Sequence, residues 1–259
     1  LPAYSQAALV LARTAHLDAD RLERAFDATH TTSPAGSILA SIDASRALLE
    51  RHGRELVGRL VDLVAMARDR LVASGVAEPV DGVGIDAAKL VVQFQRSGAN
   101  GYEVEAALIE RGMPVEMADL DTLIPMVTIA DDESTVDALV EVIITAASDS
   151  SRRASAAPRA IEPSPAWTVS PDTVLTPREA FFATHVTLPA DGAIGHVSAE
   201  IVAPYPPGIP VLAPGERIAR DTVDALRAAR ARGARVAYAA DPTLATLQVV
   251  DPSSVRSNW

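Results

Sequence analysis

The sequence predicts a chain of α/β and α+β class, with a helical N-terminal part, a small α/β subdomain and a separate α+β C-terminal domain. Three observations carry this reading. Apolar residues recur at three- and four-residue steps up to Gly75, and short apolar runs then alternate with helical ones. A stretch at 148–171 (SDSSRRASAAPRAIEPSPAWTVSP), rich in Ser, Ala and Pro, interrupts the pattern before a third region of short elements. With 259 residues, 48% of them hydrophobic and 22% charged, the chain has the length for one large or two small domains and enough apolar material for a sizeable core. That composition excludes a mainly disordered chain.

Taken in order, residues 3–13 (AYSQAALVLAR) after Pro2 read as a helix, and residues 18–26 as a second. Ser33 is placed to cap a helix whose first position is Pro34. That helix sets Ile38, Leu39, Ile42, Leu48 and Leu49 on one side. A further helical pattern over 55–72 sets Leu56, Leu60, Leu63, Val64, Ala67 and Leu71 at helical spacing, and Gly75 closes it. Residues 89–94 (KLVVQF) then read as a strand, 101–111 as a helix ended by Gly112, 123–129 as a strand and 134–147 as a helix. Ser134 and Asp137 match the start of a capping box only loosely. Beyond the linker, 177–182 begins a short helix, 195–202 alternates like a strand, and 222–232 is a helix ended by Gly233. Residues 235–238 and 247–250 are short strands. No internal repeat is visible.

Composition narrows the chemistry. Lys plus Arg total 23 against 34 Asp plus Glu, a net charge of -11, which argues against nucleic acid or an anionic membrane surface as main partner and leaves room for a cationic substrate. The absence of cysteine removes disulfides, thiolate nucleophiles and Cys-ligated metals. His16, His30, His52, His185 and His196 lie too far apart for a zinc spacing, so no metal site is expected. No phosphate-binding P-loop, dinucleotide fingerprint or nucleophile elbow is present, and Asp81-Gly-Val-Gly84 reads as a turn. No apolar stretch approaches the ~20 residues needed to span a bilayer, and no signal segment opens the chain; a soluble cytoplasmic protein is the default expectation. Lys89 is the only lysine.

Two segments stand out as candidate sites. Thr31-Thr32-Ser33 reads either as a plain helix cap or as a phosphate cradle, in which hydroxyls and free backbone N–H groups converge at a helix N-terminus. From Pro204 to Glu216 (PYPPGIPVLAPGE), five prolines and two glycines fix the backbone of a long loop. It reads either as a wall that positions Glu200 or Glu216, or as a rigid connection with solvated carboxylates. Asp131-Asp132-Glu133 fits the start of a helix, where carboxylates favour the positive end of the dipole, with metal binding as the weaker alternative. Trp167 and Trp259 read as packing or tail residues.

Taken together, LPAYSQAALVLAR, THTTSPAGSILASIDASR, GANGYEVEAALIERGMPVEMADLDTLIPMVTIADDES, LTPREAFFA and, most specifically, GHVSAEIVAPYPPGIPVLAPGERI resemble the bacterial Orn/Lys/Arg decarboxylases. These are fold-type-I enzymes dependent on pyridoxal 5'-phosphate (PLP). The segments occur in the family's order and leave unmatched only 148–171 and the tail after about Asp251. The resemblance implies that residues 1–80 complete the large PLP-binding domain, 81–148 form the small α/β subdomain, 149–171 are a linker and 172–259 are the C-terminal domain. Leu1-Pro2 match the end of the family's Ser-x-His-Lys-Thr-Leu-Pro segment, so the lysine that carries the cofactor is expected two positions before Leu1. Lys89 then falls at a strand entry as a solvated edge residue.

The implied reaction converts arginine, lysine or ornithine to agmatine or a diamine with loss of CO2. The resemblance places Thr31, Thr32 and Ser33 at the cofactor phosphate of a neighbouring subunit, and offers Glu200 and Glu216 as candidates for the substrate side chain or the entry channel. It further implies a homodimer or higher oligomer with a shared active site, a cationic amino-acid substrate, and no activity of this chain alone. The rival readings are a non-catalytic truncated paralogue or one half of a split enzyme, binding a partner that carries the cofactor.

Overall fold

Asp18 opens the first helix by accepting the Arg21 N–H at 3.1 Å. In the computed structural model, which describes residues 2–4, 7–153, 159, 168–170, 172–205 and 208–254, this helix α1 covers Ala19–Thr29. Residues 7–13, expected as a helix, are not helical, and Leu9, Val10 and Leu11 are all exposed. Their apolar residues run consecutively and meet no packing surface among the described residues, so nothing there offsets the cost of nucleating a helix.

Helix α2 (Gly36–Ser74) joins the two expected helical patterns into one element of 39 residues, about 58 Å long at 1.5 Å per residue. Gly53 falls between the two patterns and Gly58 within the second, and each costs only about 1 kcal/mol in a helix interior. The start also differs from expectation. Ala35, not Ser33, is the N-cap, and no side chain caps the helix. The Ser33 N–H instead donates to Thr31 Oγ1 at 3.2 Å, a local turn that delays the helix by two residues. At the other end Gly75, at φ 70°, closes α2 in the left-handed conformation.

The C-terminal half of α2 lies on the first core. Four strands, β1 (Glu78–Pro79), β2 (Val92–Gln93), β3 (Met117–Ala118) and β4 (Thr122–Ile124), pair antiparallel in the order β1-β2-β4-β3. Between them runs α3 (Gly101–Ile109), capped by Asn100, and after them α4 (Glu133–Arg153). Leu63, Val64, Ala67 and Leu71 of α2 meet Val136, Val140, Ile143 and Ala147 of α4 around buried Phe94 and Leu123. The strands are shorter than the apolar runs 89–94 and 123–129. Pro125, with no N–H to give, follows the last residue of β4.

Helix α4 is longer than expected at its C-terminal end. Arg153 donates to Glu103 at 2.6 Å and Arg152 pairs with Asp149, so the last turn carries cations where the helix dipole favours them. Its start is fixed by Asp132, which accepts the Thr135 N–H at 2.9 Å while its own N–H donates to Thr135 Oγ1 at 3.0 Å. This reciprocal pair replaces the Ser134 cap.

The second core is separate. Its region holds α5 (Pro177–Phe182), β5 (His185–Pro189), β6 (Ala203–Tyr205), α6 (Arg220–Ala231), β7 (Arg235–Ala237) and β8 (Thr246–Val250), with Ala180 of α5 in a small cluster of its own beside Ala199 and Val250. A full capping box starts α5: Thr176 accepts the Glu179 N–H and Glu179 accepts the Thr176 N–H. Val223, Leu226 and Ala229 turn one face of α6 inward, and Leu247 and Val249 alternate inward from β8. β5 pairs with β8 and β6 with β7, both antiparallel. The run 195–202 forms isolated bridges rather than one strand, with Val197 opposite Arg217, Ser198 opposite Val249 and Val202 opposite Leu212. Trp167 and Trp259 lie outside the described residues.

Candidate functional site

The Thr31-Thr32-Ser33 turn is exposed, between α1 and α2. The first two N–H groups of α2, at Gly36 and Ser37, have no acceptor among the described residues, while those of Ile38 and Leu39 bond to Ala35 O. Uncapped donors beside three hydroxyl side chains suit an anionic oxygen. The turn is remote from the first core. Gly36 precedes Leu63, the first core residue of α2, by about 40 Å of helix.

Glu200 and Glu216 meet through Ser198. The Ser198 N–H donates to Glu216 O at 2.8 Å, and its Oγ donates to Glu200 O at 2.9 Å. Glu200 is 7% exposed, and both its carboxylate oxygens are taken by backbone donors: Oε1 by Gln248 N–H and Oε2 by Ala240 N–H, each at 2.6 Å. Its carboxylate ties β8 to the turn after β7. Glu216 is half-buried, and its Oε2 accepts the Ala213 N–H at 2.9 Å within the Pro- and Gly-rich loop. Gly215 sits at φ 95°, and a Cβ there would lie 2.2 Å from Leu175 O. Only glycine lets this loop pass so close to the segment entering α5.

The same corner holds features that sequence reasoning missed. Tyr238 is 70% exposed and has φ 68°, a left-handed conformation unusual for an aromatic residue. It directly precedes the turn that Glu200 grips. Asp241 accepts from both the N–H and the hydroxyl of Thr243 and of Thr246, and these bonds hold its carboxyl well below the usual carboxylate range. Asp-x-Thr after a Pro- and Gly-poor strand is too common a pattern to signal such a knot from sequence.

Lys89 lies elsewhere, its Nζ 4.0 Å from Met126 Sδ at the surface of the first unit. Asp131 closes a turn by accepting from the Thr128 N–H and hydroxyl, and Asp132 caps α4. Asp131 also lines a groove of about 440 Å³ with Met113, Pro125, Met126, Thr135 and Leu139. Among the described residues, no hydrogen bond or ion pair joins Thr31-Thr32-Ser33 to Glu200, Glu216 or Lys89.

The helical arm, the small sheet unit and the separate α+β unit define a class of protein: the chain has the fold of basic amino-acid decarboxylase C-terminal regions. Solved lysine decarboxylases of Francisella novicida and Pseudomonas aeruginosa each superpose with a TM-score of 0.66 at 18% identity, over 90% and 91% of this chain and 45% of theirs. Residues 163–236 match the family model described as Orn/Lys/Arg decarboxylase, C-terminal domain. An arginine decarboxylase of Halalkalibacterium halodurans is 30% identical over 95% of this chain and 51% of its own length, and one of Bacillus subtilis 29% identical with the same coverage. In both sequence and fold the chain is thus similar to the C-terminal part of the Orn/Lys/Arg decarboxylases. It spans about half the length of the curated relatives it matches.

Proposed function

We propose that this chain forms the C-terminal part of a PLP-dependent carboxy-lyase that converts arginine, lysine or ornithine to agmatine or a diamine and CO2. The observation that carries the reading is similarity to arginine decarboxylases along 95% of the chain. The Thr31-Thr32-Ser33 turn supports it, because the uncapped α2 donors at Gly36 and Ser37, beside three exposed hydroxyl side chains, fit the phosphate of PLP. When bound, PLP supplies the electron sink for cleavage of the Cα–carboxylate bond.

The chain's own residues have three tasks in this reading. Thr31, Thr32 and Ser33 would hold the phosphate through their hydroxyls, with the uncapped N–H groups of Gly36 and Ser37 beside them, and so fix the position of the cofactor. Glu216 offers a half-buried carboxylate, on a loop stiffened by prolines, to the distal cation of the substrate. Glu200 acts through the loop it holds: with both oxygens taken, it sets the turn that carries Tyr238. The net charge of -11 favours a cationic substrate.

Exposed apolar residues of the N-terminal arm, Leu9, Leu11, Leu39 and Val57 among them, suit cover by the rest of the enzyme or a second subunit sharing the site. The units in this reading are 1–80, 81–148 and 172–259; of the linker expected at 149–171, the first residues, 149–153, are the last turns of α4. Among the described residues no helix is long and apolar enough to cross a membrane, and we place the enzyme in the cytoplasm with its amino-acid substrate.

The test is CO2 release by the intact protein loaded with PLP and offered arginine, lysine, ornithine or leucine. The expected result is turnover of at least one basic amino acid and none of leucine. A PLP-loaded protein that decarboxylates none of the three basic amino acids overturns the proposal.

A further inference from the structure

A guanidinium carries five N–H donors in a planar fork and is matched by oxygens arranged in its plane. Arg159, from the Ser-, Ala- and Pro-rich stretch, meets such a set. Its Nε donates to Asp121 Oδ1 at 2.7 Å and its Nη1 to Gly98 O at 2.6 Å. Its Nη2 donates to Ala99 O at 2.5 Å and to Leu120 O at 3.2 Å. The Arg159 backbone N–H adds a bond to Gln95 O at 2.8 Å. The side chains of Arg159 and Asp121 are only 29% and 25% exposed, so water shields the pair weakly.

The acceptors are positioned without help from Arg159. Gly98, at φ 69°, turns the chain while its N–H bonds to Phe94 O. Asn100 caps α3 and its own N–H is held by Ser150 Oγ. Gly101 donates to Leu120 O at 2.9 Å, and a Cβ on it would lie 2.2 Å from Asp119 O. Asp119 Oδ1 in turn accepts the N–H groups of Asp121 and Thr122. Three carbonyls and a carboxylate therefore converge on one place, an arrangement that is costly unless a cationic donor fills it.

We propose that Asp121 and the carbonyls of Gly98, Ala99 and Leu120 form a guanidinium-recognition site, filled in cis by Arg159 and open to a free alkylguanidinium once Arg159 is removed. The fork geometry sets its selectivity: an ammonium of equal charge reaches fewer of the four oxygens. In the wild-type chain the tethered side chain competes at an effective concentration on the order of millimolar or above, which keeps a weak free ligand out. The inference is independent of the proposed decarboxylase activity.

The test is chemical rescue in the intact protein. Arg159→Ala lowers Tm, and methylguanidinium restores it with saturation, whereas methylammonium does not. At ten times Kd the folding equilibrium shifts about 11-fold, about 1.4 kcal/mol, which is about 3–6 °C for a protein of this size. Adding Asp121→Asn to Arg159→Ala abolishes the rescue, and the wild type shows none. Equal responses to the two cations, or rescue that survives Asp121→Asn, overturn the proposal. If Arg159→Ala does not fold, the readout is refolding yield, expected to rise with methylguanidinium alone; equal yields with the two cations overturn the proposal in the same way.

Discussion

Replacing Glu200 by Gln separates a loop-holding role from a ligand-binding one. The Glu200 carboxylate is 7% exposed and receives two backbone N–H groups at 2.6 Å, from Ala240 and Gln248. Gln keeps the shape but turns one acceptor into an NH2 donor facing another N–H, and removes the charge from the bond that remains. Hydrogen bonds to a charged group contribute about 1.5–3 kcal/mol each, and an unsatisfied buried donor costs about 1–3 kcal/mol. Losing one bond and weakening the other should therefore cost about 2–4 kcal/mol, or about 4–16 °C in Tm at 2–4 °C per kcal/mol. Thermal unfolding followed by circular dichroism reads this directly, with amide exchange at Ala240 and Gln248 as the local probe. A Glu200→Gln protein with unchanged Tm and unchanged exchange at both amides refutes the reasoning and returns Glu200 to a ligand role.

Gly215→Ala should be destabilised by about 2–6 kcal/mol, the sum of a left-handed backbone and a Cβ placed 2.2 Å from Leu175 O, as measured by urea unfolding. Ile143→Ala empties a fully buried position of α4 and should cost about 2–5 kcal/mol in the same assay. The Asp241 carboxyl, held low by Thr243 and Thr246, releases its proton more readily in the folded state than unfolded. Its contribution is complete above about pH 4 and is lost as pH falls towards the folded value; Asp241→Asn should flatten the acid limb of the stability profile. Burial, then Asp119 and Glu105, push the Tyr102 phenol up to about 12, against an opposing effect of Arg235. Its stabilising effect is present below about pH 10 and fades as pH rises towards 12, so tyrosinate absorbance should show one late-titrating tyrosine that Tyr102→Phe removes.

What the sequence made legible was local. Pro177 marks the start of α5, and Gly75, Gly112 and Gly233 follow helices whose apolar spacing is regular. β5 carried no such signal, because it pairs only with β8 and four of its five residues are exposed, which leaves no alternation to read. Residues 7–13 misled for the opposite reason: their apolar content is high, but Leu9, Val10 and Leu11 stay exposed and find no packing surface among the described residues. The partners of Glu200 lie 40 and 48 residues away, and those of the Arg159 side chain 38 to 61 residues away. No spacing rule reaches contacts made by backbone carbonyls and amides of distant turns. The ordered motifs, by contrast, pointed from side chains alone to the same decarboxylases that the comparisons match.

The central claim is that the Thr31-Thr32-Ser33 turn completes the PLP site of a basic amino-acid decarboxylase. The most direct test is the PLP dissociation constant of the intact protein, by cofactor absorbance, for the wild type and for Thr31→Ala, Thr32→Ala and Ser33→Ala combined. Loss of even one hydrogen bond to the charged phosphate, about 2 kcal/mol, predicts at least roughly 30-fold weaker binding with Tm of the cofactor-free protein unchanged. Equal PLP affinity in the two proteins would contradict the account.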